Sequence, residues 1–104
     1  MATFNSSVTC GAVNLNGTFT YTPPNPPTST NGTLGGTYTL YNDTALPMTE
    51  TSTTGASVKF SITTGGQTYS FNGAYNSGQN RIVGKTTPCA NIKGVDDNWT
   101  ASAQ

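Results

Sequence analysis

The chain has 104 residues, no histidine, and eight formally charged side chains that cancel to zero net charge. Hydrolytic and proton-transfer chemistry is thereby deprived of its usual titrating group near neutral pH, and nucleic acid or an anionic membrane finds no basic face to bind. What remains in quantity is twenty-one threonines with serine, asparagine and glycine, interleaved with ten aromatics, side chains that recognise neutral polar ligands by hydrogen bonding and stacking.

A length of 104 residues is expected to form one domain, residues 1–104. Isoleucine, leucine, valine and phenylalanine number only sixteen, a level seen in disordered chains, but disorder also calls for high net charge. The aromatics and β-branched threonines favour strands instead. No apolar run approaches the ~18 residues of a spanning helix, so membrane insertion is not expected. Met1–Ser7 has neither the basic start nor the apolar core of a signal peptide. The expectation is a secreted mature form carrying an added methionine, or export by a route without such a leader.

Taken in chain order, apolar and polar residues alternate with a period of two, the mark of half-buried strands. Thr3–Ser7 comes first. In Gly17–Thr22, Phe19 and Tyr21 alternate with threonines, and in Thr33–Tyr41, Leu34, Tyr38 and Leu40 share one face. A weak strand follows near Met48–Thr53, then Ser57–Thr63 with Val58, Phe60 and Ile62 aligned. Thr68–Tyr75 is the clearest case: Tyr69, Phe71, Gly73 and Tyr75 face one way, Thr68, Ser70, Asn72 and Ala74 the other. Arg81–Thr87 and Asn98–Ser102 complete the set. Turn residues separate these strands, with Gly65-Gly66 and Asn76-Ser77-Gly78 reading as hairpin turns and Pro23–Pro27 as a stiff loop leaving a strand. Eight short antiparallel strands imply an all-β fold, an up-and-down β-barrel or a small sandwich.

Cys10 and Cys89 lack the spacing of a metal site or a redox pair. An even number of strands between them returns the chain to one end of the meander, where the first and eighth strands become neighbours if a barrel closes. A disulfide there is geometrically sound and closes a loop worth about 4–5 kcal/mol in the chain-entropy model. Two free thiols in a reducing compartment are the alternative.

At Asn31-Gly32-Thr33-Leu34-Gly35-Gly36-Thr37-Tyr38 the chain resembles the third strand of the avidin/streptavidin family, G-x-[LF]-x-G-x-Y. Ser57-Val58-Lys59-Phe60 resembles the family's fifth strand and Phe71-Asn72-Gly73-Ala74-Tyr75 its W-x-G-x-[YF] sixth strand, each with phenylalanine where tryptophan is usual. Arg81-Ile82 is similar to the seventh strand, Asp97-Asn98-Trp99 to the start of the eighth, and Thr3-Phe4 to the opening G-x-W. The resemblance implies a single eight-stranded antiparallel up-and-down barrel. It does not carry the biotin site over intact. Ser6 and Tyr38 keep matching polar types, but Leu40 stands where a serine is expected and Thr86 near a usual tryptophan. The sequence ends at Gln104, before the family's late aspartate. Losing aromatic walls and a buried carboxylate removes much of the affinity, so biotin binding is expected to be weak or absent.

Asp96-Asp97 is the only acidic pair. Neighbours on a strand point to opposite faces, so the two cannot share one substrate as acid and base. A solvated turn is the plain reading and a calcium role the functional one, with too few nearby acids to support it. No catalytic residue, metal ligand or cofactor is assigned. Trp99 either fills a barrel end or serves as a stacking platform, and Tyr21, Tyr38, Tyr69 and Tyr75 are similarly divided between packing and binding. Trp99, Asp97 and Asn98 combine a ring, a charged acceptor and an amide within three residues, the minimum for a sugar's hydroxyl pair and apolar face. Five N-x-[ST] sequons start at Asn5, Asn16, Asn31, Asn42 and Asn98, a number close enough to chance to carry little alone. The expected function is a non-enzymatic binding protein for a neutral polar ligand, a carbohydrate first, with Trp99, Asp97, Asn98, Tyr38, Tyr69 and Phe71 as candidate site residues. A biotin-type small-molecule binder and a structural or protein-interaction module are the alternatives. Because one such site binds weakly, a homo-oligomer is expected.

Overall fold

A computed structural model describes residues 2–11, 13–23, 32–89 and 97–104. Its described residues form nine β-strands and no helix: β1 Ala2–Val8, β2 Gly17–Thr22, β3 Thr33–Leu40, β4 Ala45–Pro47, β5 Thr49–Thr54, β6 Ser57–Thr64, β7 Gln67–Asn76, β8 Arg81–Thr87 and β9 Trp99–Ala103. All pairings are antiparallel, and one sheet runs β4-β3-β2-β1-β9-β8-β7-β6-β5, curled into a half-barrel.

The expected alternation is what orients this sheet. Phe4, Phe19, Tyr21, Tyr38, Val58, Phe60, Ile62, Phe71, Ile82 and Trp99 all point inward and are buried, while Thr68, Ser70, Asn72 and Ala74 of β7 stay exposed. The interior is built of rings. Phe60 stacks on Phe71 with centroids 4.7 Å apart, and Trp99 meets both edge to face at 5.5 and 5.1 Å. Phe19 lies between Phe4 and Tyr38. Such pairs contribute about 0.5–1.5 kcal/mol each beyond their buried area, which lets a chain with few aliphatic residues hold a core.

Turn chemistry sets the register. Gly65 and Gly66, both at positive φ (61° and 77°), make the β6–β7 hairpin turn that their sequence signalled. The disulfide joins Cys10, just after β1, to Cys89, just after β8. Both cysteines lie at the end of the sheet where β9, the neighbour of both strands, begins.

One expectation needs correction. Eight strands were expected and nine are found: the fourth, expected at Met48–Thr53, is β5, and the additional strand is β4 at Ala45–Pro47, where none was expected. Ala45–Pro47 pairs with β3 and Thr49–Thr54 pairs with β6, with Met48 between. Pro47 has no N–H to continue the first ladder. Met48 instead donates its N–H to the Gly36 carbonyl at 2.9 Å, across a backbone that Gly36 holds at φ 88°. The loop expected at Pro23–Pro27 falls almost wholly outside the described residues, as do Asp96 and the Asn31 sequon.

Candidate functional site

The inner face is closed by its own side chains. Ser6, Tyr38 and Trp99 are each essentially buried, and their polar atoms form one hydrogen-bond chain. The Leu15 carbonyl can only accept, so the single Tyr38 phenol proton goes there at 2.6 Å. The Ser6 hydroxyl then pairs with the Tyr38 oxygen at 2.7 Å and receives the Trp99 Nε1–H at 2.8 Å. Burial pushes the Tyr38 phenol well above its ordinary range, with the Ser6 hydrogen bond pulling the other way and Tyr41 adding slightly to the rise. Leu15, from the connection between β1 and β2, is fully buried in the same core. Ser6 and Tyr38 therefore turn their polar atoms to partners within the chain.

The residues singled out by sequence separate in space. Trp99, Tyr38 and Phe71 belong to the ring core, and Tyr69 is only 7% exposed. Asn98 is buried, and its carboxamide is occupied on both sides. Its Oδ1 accepts from the Thr86 N–H at 2.7 Å, while Nδ2 donates to the carbonyls of Thr86 and Thr9 at 3.0 and 3.2 Å. It pins the start of β9 to β8 and to the residue after β1. Of that cluster only Asp97 reaches the surface.

Asp97 lines an open groove of about 650 Å³ on the outer face of β7 and β8. Its walls carry Ser70 and Asn72 from β7, Lys85 and Thr87 from β8, and Ser57 from β6, over a low floor of Ala74, Val83 and two glycines. Alternation puts these side chains outward, and register aligns them. Lys59, Asn72 and Lys85 stand in one row across β6, β7 and β8, and Ser61, Ser70 and Thr87 in the next. At ~4.8 Å between strands, the two lysine backbones lie roughly 10 Å apart with Asn72 midway. A smaller depression of about 220 Å³ beside Lys59 shares Ser70 and Asn72 with the groove, so these two residues face both.

The groove floor is thin because Gly73 and Gly84 pair directly opposite each other. A Cβ on Gly84 would sit 2.1 Å from the Asn72 carbonyl oxygen, and one on Gly73 would sit 2.9 Å from the Trp99 ring. Only glycine lets β7 and β8 approach this closely while Trp99 lies flush behind them. Trp99 is thus adjacent to the groove, on the reverse side of the sheet. The sequence marked Asp97 but missed Asn72 and Lys85. The outward phase of Thr68–Tyr75 was the signal for Asn72, whereas its alignment with Lys85 required the β7–β8 register.

The described residues contain no group of three or more His, Cys, Asp and Glu side chains placed to hold a metal ion. Comparison with models of known protein families, with curated proteins and with solved structures finds no match to this chain.

Proposed function

We propose that the protein is a non-enzymatic carbohydrate-binding protein, a small lectin, and that the outer-face groove of β7 and β8 takes the glycan. The observation that carries this reading is the groove's composition. Asp97 supplies an acceptor, Lys85 a donor, and Asn72, Ser70 and Thr87 both, above the small apolar floor of Ala74 and Val83. A pyranose offers adjacent hydroxyls that donate and accept on its rim and a C–H patch on its face, which matches that set. The volume falls within the ~300–1,000 Å³ usual for small-ligand sites. An open site making a few solvent-exposed hydrogen bonds of about 0.5–1.5 kcal/mol each binds weakly, on the order of millimolar. A homo-oligomer presenting several grooves would raise this through avidity.

The architecture reads as an avidin-like barrel in which residues 45–54 act as one interrupted strand closing an eight-stranded ring. Support comes from β4 and β5, the two outermost strands, being separated in sequence only by Met48. A biotin-type ligand inside that barrel is disfavoured by the Leu15 and ring-filled interior.

The test is a glycan array on the folded protein, with biotin titrated separately, followed by Asn72→Ala, Lys85→Ala and Asp97→Ala against the best sugar. Each variant is expected to weaken binding about fivefold, one lost hydrogen bond, with thermal unfolding unchanged. If all three bind as the parent does, the groove assignment fails. If no glycan binds the parent, the lectin reading gives way to a structural or interaction module.

A further inference from the structure

The sequons can now be separated by their surroundings. Asn98 is buried, and its Nδ2, the atom that would carry a glycan, donates to two backbone carbonyls. Asn16 is half-buried, and its carboxamide oxygen holds the Val8 N–H at 2.7 Å inside the connection between β1 and β2. Asn5 is exposed but lies mid-strand in β1, paired with Thr18 on one side and Ser102 on the other, and its oxygen accepts from Gln104. Asn42 differs from all of these. It sits at the tip of the turn from β3 to β4, and Asn42, Asp43 and Thr44 are all exposed.

The turn is also well defined. Asp43 N–H donates to the Leu40 carbonyl and Leu40 N–H to the Thr44 carbonyl, both at 2.9 Å, and Asp43 adopts φ 68°. The Asn42 oxygen accepts from the Thr44 N–H at 3.1 Å. That bond draws the sequon's threonine against the carboxamide while its Nδ2 makes no hydrogen bond among the described residues. A sugar there extends into solvent from the exposed β3–β4 turn. The Cys10–Cys89 bridge fits the oxidising compartment in which such transfer takes place.

We propose that Asn42 is an N-glycosylation site and that the fold bars Asn98 from being one. In the transfer, Asn42 Nδ2 forms a bond to the anomeric carbon of a lipid-pyrophosphate-linked oligosaccharide. The bond from that carbon to the phosphate oxygen breaks, the lipid pyrophosphate leaves, and the amide nitrogen gives up one proton to a base of the transferase.

The experiment secretes the full chain from a eukaryotic cell behind a cleavable leader and maps each asparagine after enzymatic glycan release, which converts an occupied asparagine to aspartate. The disulfide-bonded product is expected to show conversion at Asn42 and none at Asn98. Asn42→Gln and Thr44→Ala should each abolish the Asn42 glycan while leaving thermal unfolding unchanged; Thr44→Ala keeps the carboxamide and removes only the sequon's hydroxyl. An unconverted Asn42 in the secreted parent, conversion at Asn5 or Asn16 in its place, or a glycan on Asn98 in the disulfide-bonded product would each overturn the assignment. None of these outcomes bears on sugar binding in the groove.

Discussion

Replacing Ser6 by alanine tests the hydrogen-bond chain that closes the interior. The Ser6 hydroxyl is 1% exposed and lies between the Trp99 indole N–H and the Tyr38 oxygen. Its removal strands the indole N–H in a dry ring cluster, at about 1–3 kcal/mol, and deletes a second bond of about 0.5–1.5 kcal/mol. The expected loss is about 2–4 kcal/mol, a large share of the 5–15 kcal/mol usual for a whole domain. Urea unfolding followed by emission of Trp99, the chain's single tryptophan, should show the midpoint falling by more than ~1 M at an m-value of about 1–2 kcal/mol/M. Tyr38→Phe strands the Leu15 carbonyl instead, and the double variant should cost less than the two single losses added, by about 0.5–3 kcal/mol of coupling. A Ser6→Ala loss under ~0.5 kcal/mol, or strict additivity, would show that these groups do not act as a chain.

Burial raises the phenols of Tyr38 and, with a contribution from Tyr75, of Tyr21. For Tyr38 the stabilisation is complete below the unfolded phenol pKa of about 10 and is lost as pH rises above it, by roughly 1.4 kcal/mol per pH unit. Unfolding curves collected in alkaline buffers should therefore be flatter with pH for Tyr38→Phe, and equal slopes would contradict the burial argument. The Cys10→Ser/Cys89→Ser double variant, opening a bridge between residues 79 apart, should lose about 4–5 kcal/mol on the chain-entropy model; a loss under ~1 kcal/mol in calorimetry would mean that the bridge constrains little. Thr86 Oγ1 is buried with no hydrogen-bond partner among the described residues, so Thr86→Val, which keeps the shape and removes the hydroxyl, should raise stability by about 1 kcal/mol. A fall in melting temperature would show that the hydroxyl has a partner.

The aromatic residues illustrate how one residue type is divided between binding and packing. With few aliphatic side chains available, the sheet needs Phe4, Phe19, Tyr38, Phe60, Phe71 and Trp99 to fill its concave face. Rings used in that way cannot also stack on a ligand outside. The groove instead presents hydroxyl, amide and charged side chains, which the outer face of a threonine-, serine- and asparagine-rich sheet provides.

Local pattern alone determined eight of the nine strands. A period of two fixes which side chains share a face, and Gly65-Gly66 or Asn76-Ser77-Gly78 specifies a turn through its own backbone preferences, so most strand boundaries fall within a residue or two of those expected. The pairing of Cys10 with Cys89 was also anticipated, although seven strands, not the even number expected, lie between them. Tertiary structure decided what periodicity does not encode. The additional strand β4 depends on its pairing with β3, on Pro47 lacking an N–H and on Met48 finding the Gly36 carbonyl from another part of the chain. The use of Asn98 depends on Thr86 and Thr9, 12 and 89 residues away. The row Lys59, Asn72, Lys85 exists only in the register of three strands. Alternation sets which face a side chain occupies, whereas its neighbours on that face are set by cross-strand pairing and by the close approach that Gly73 and Gly84 permit.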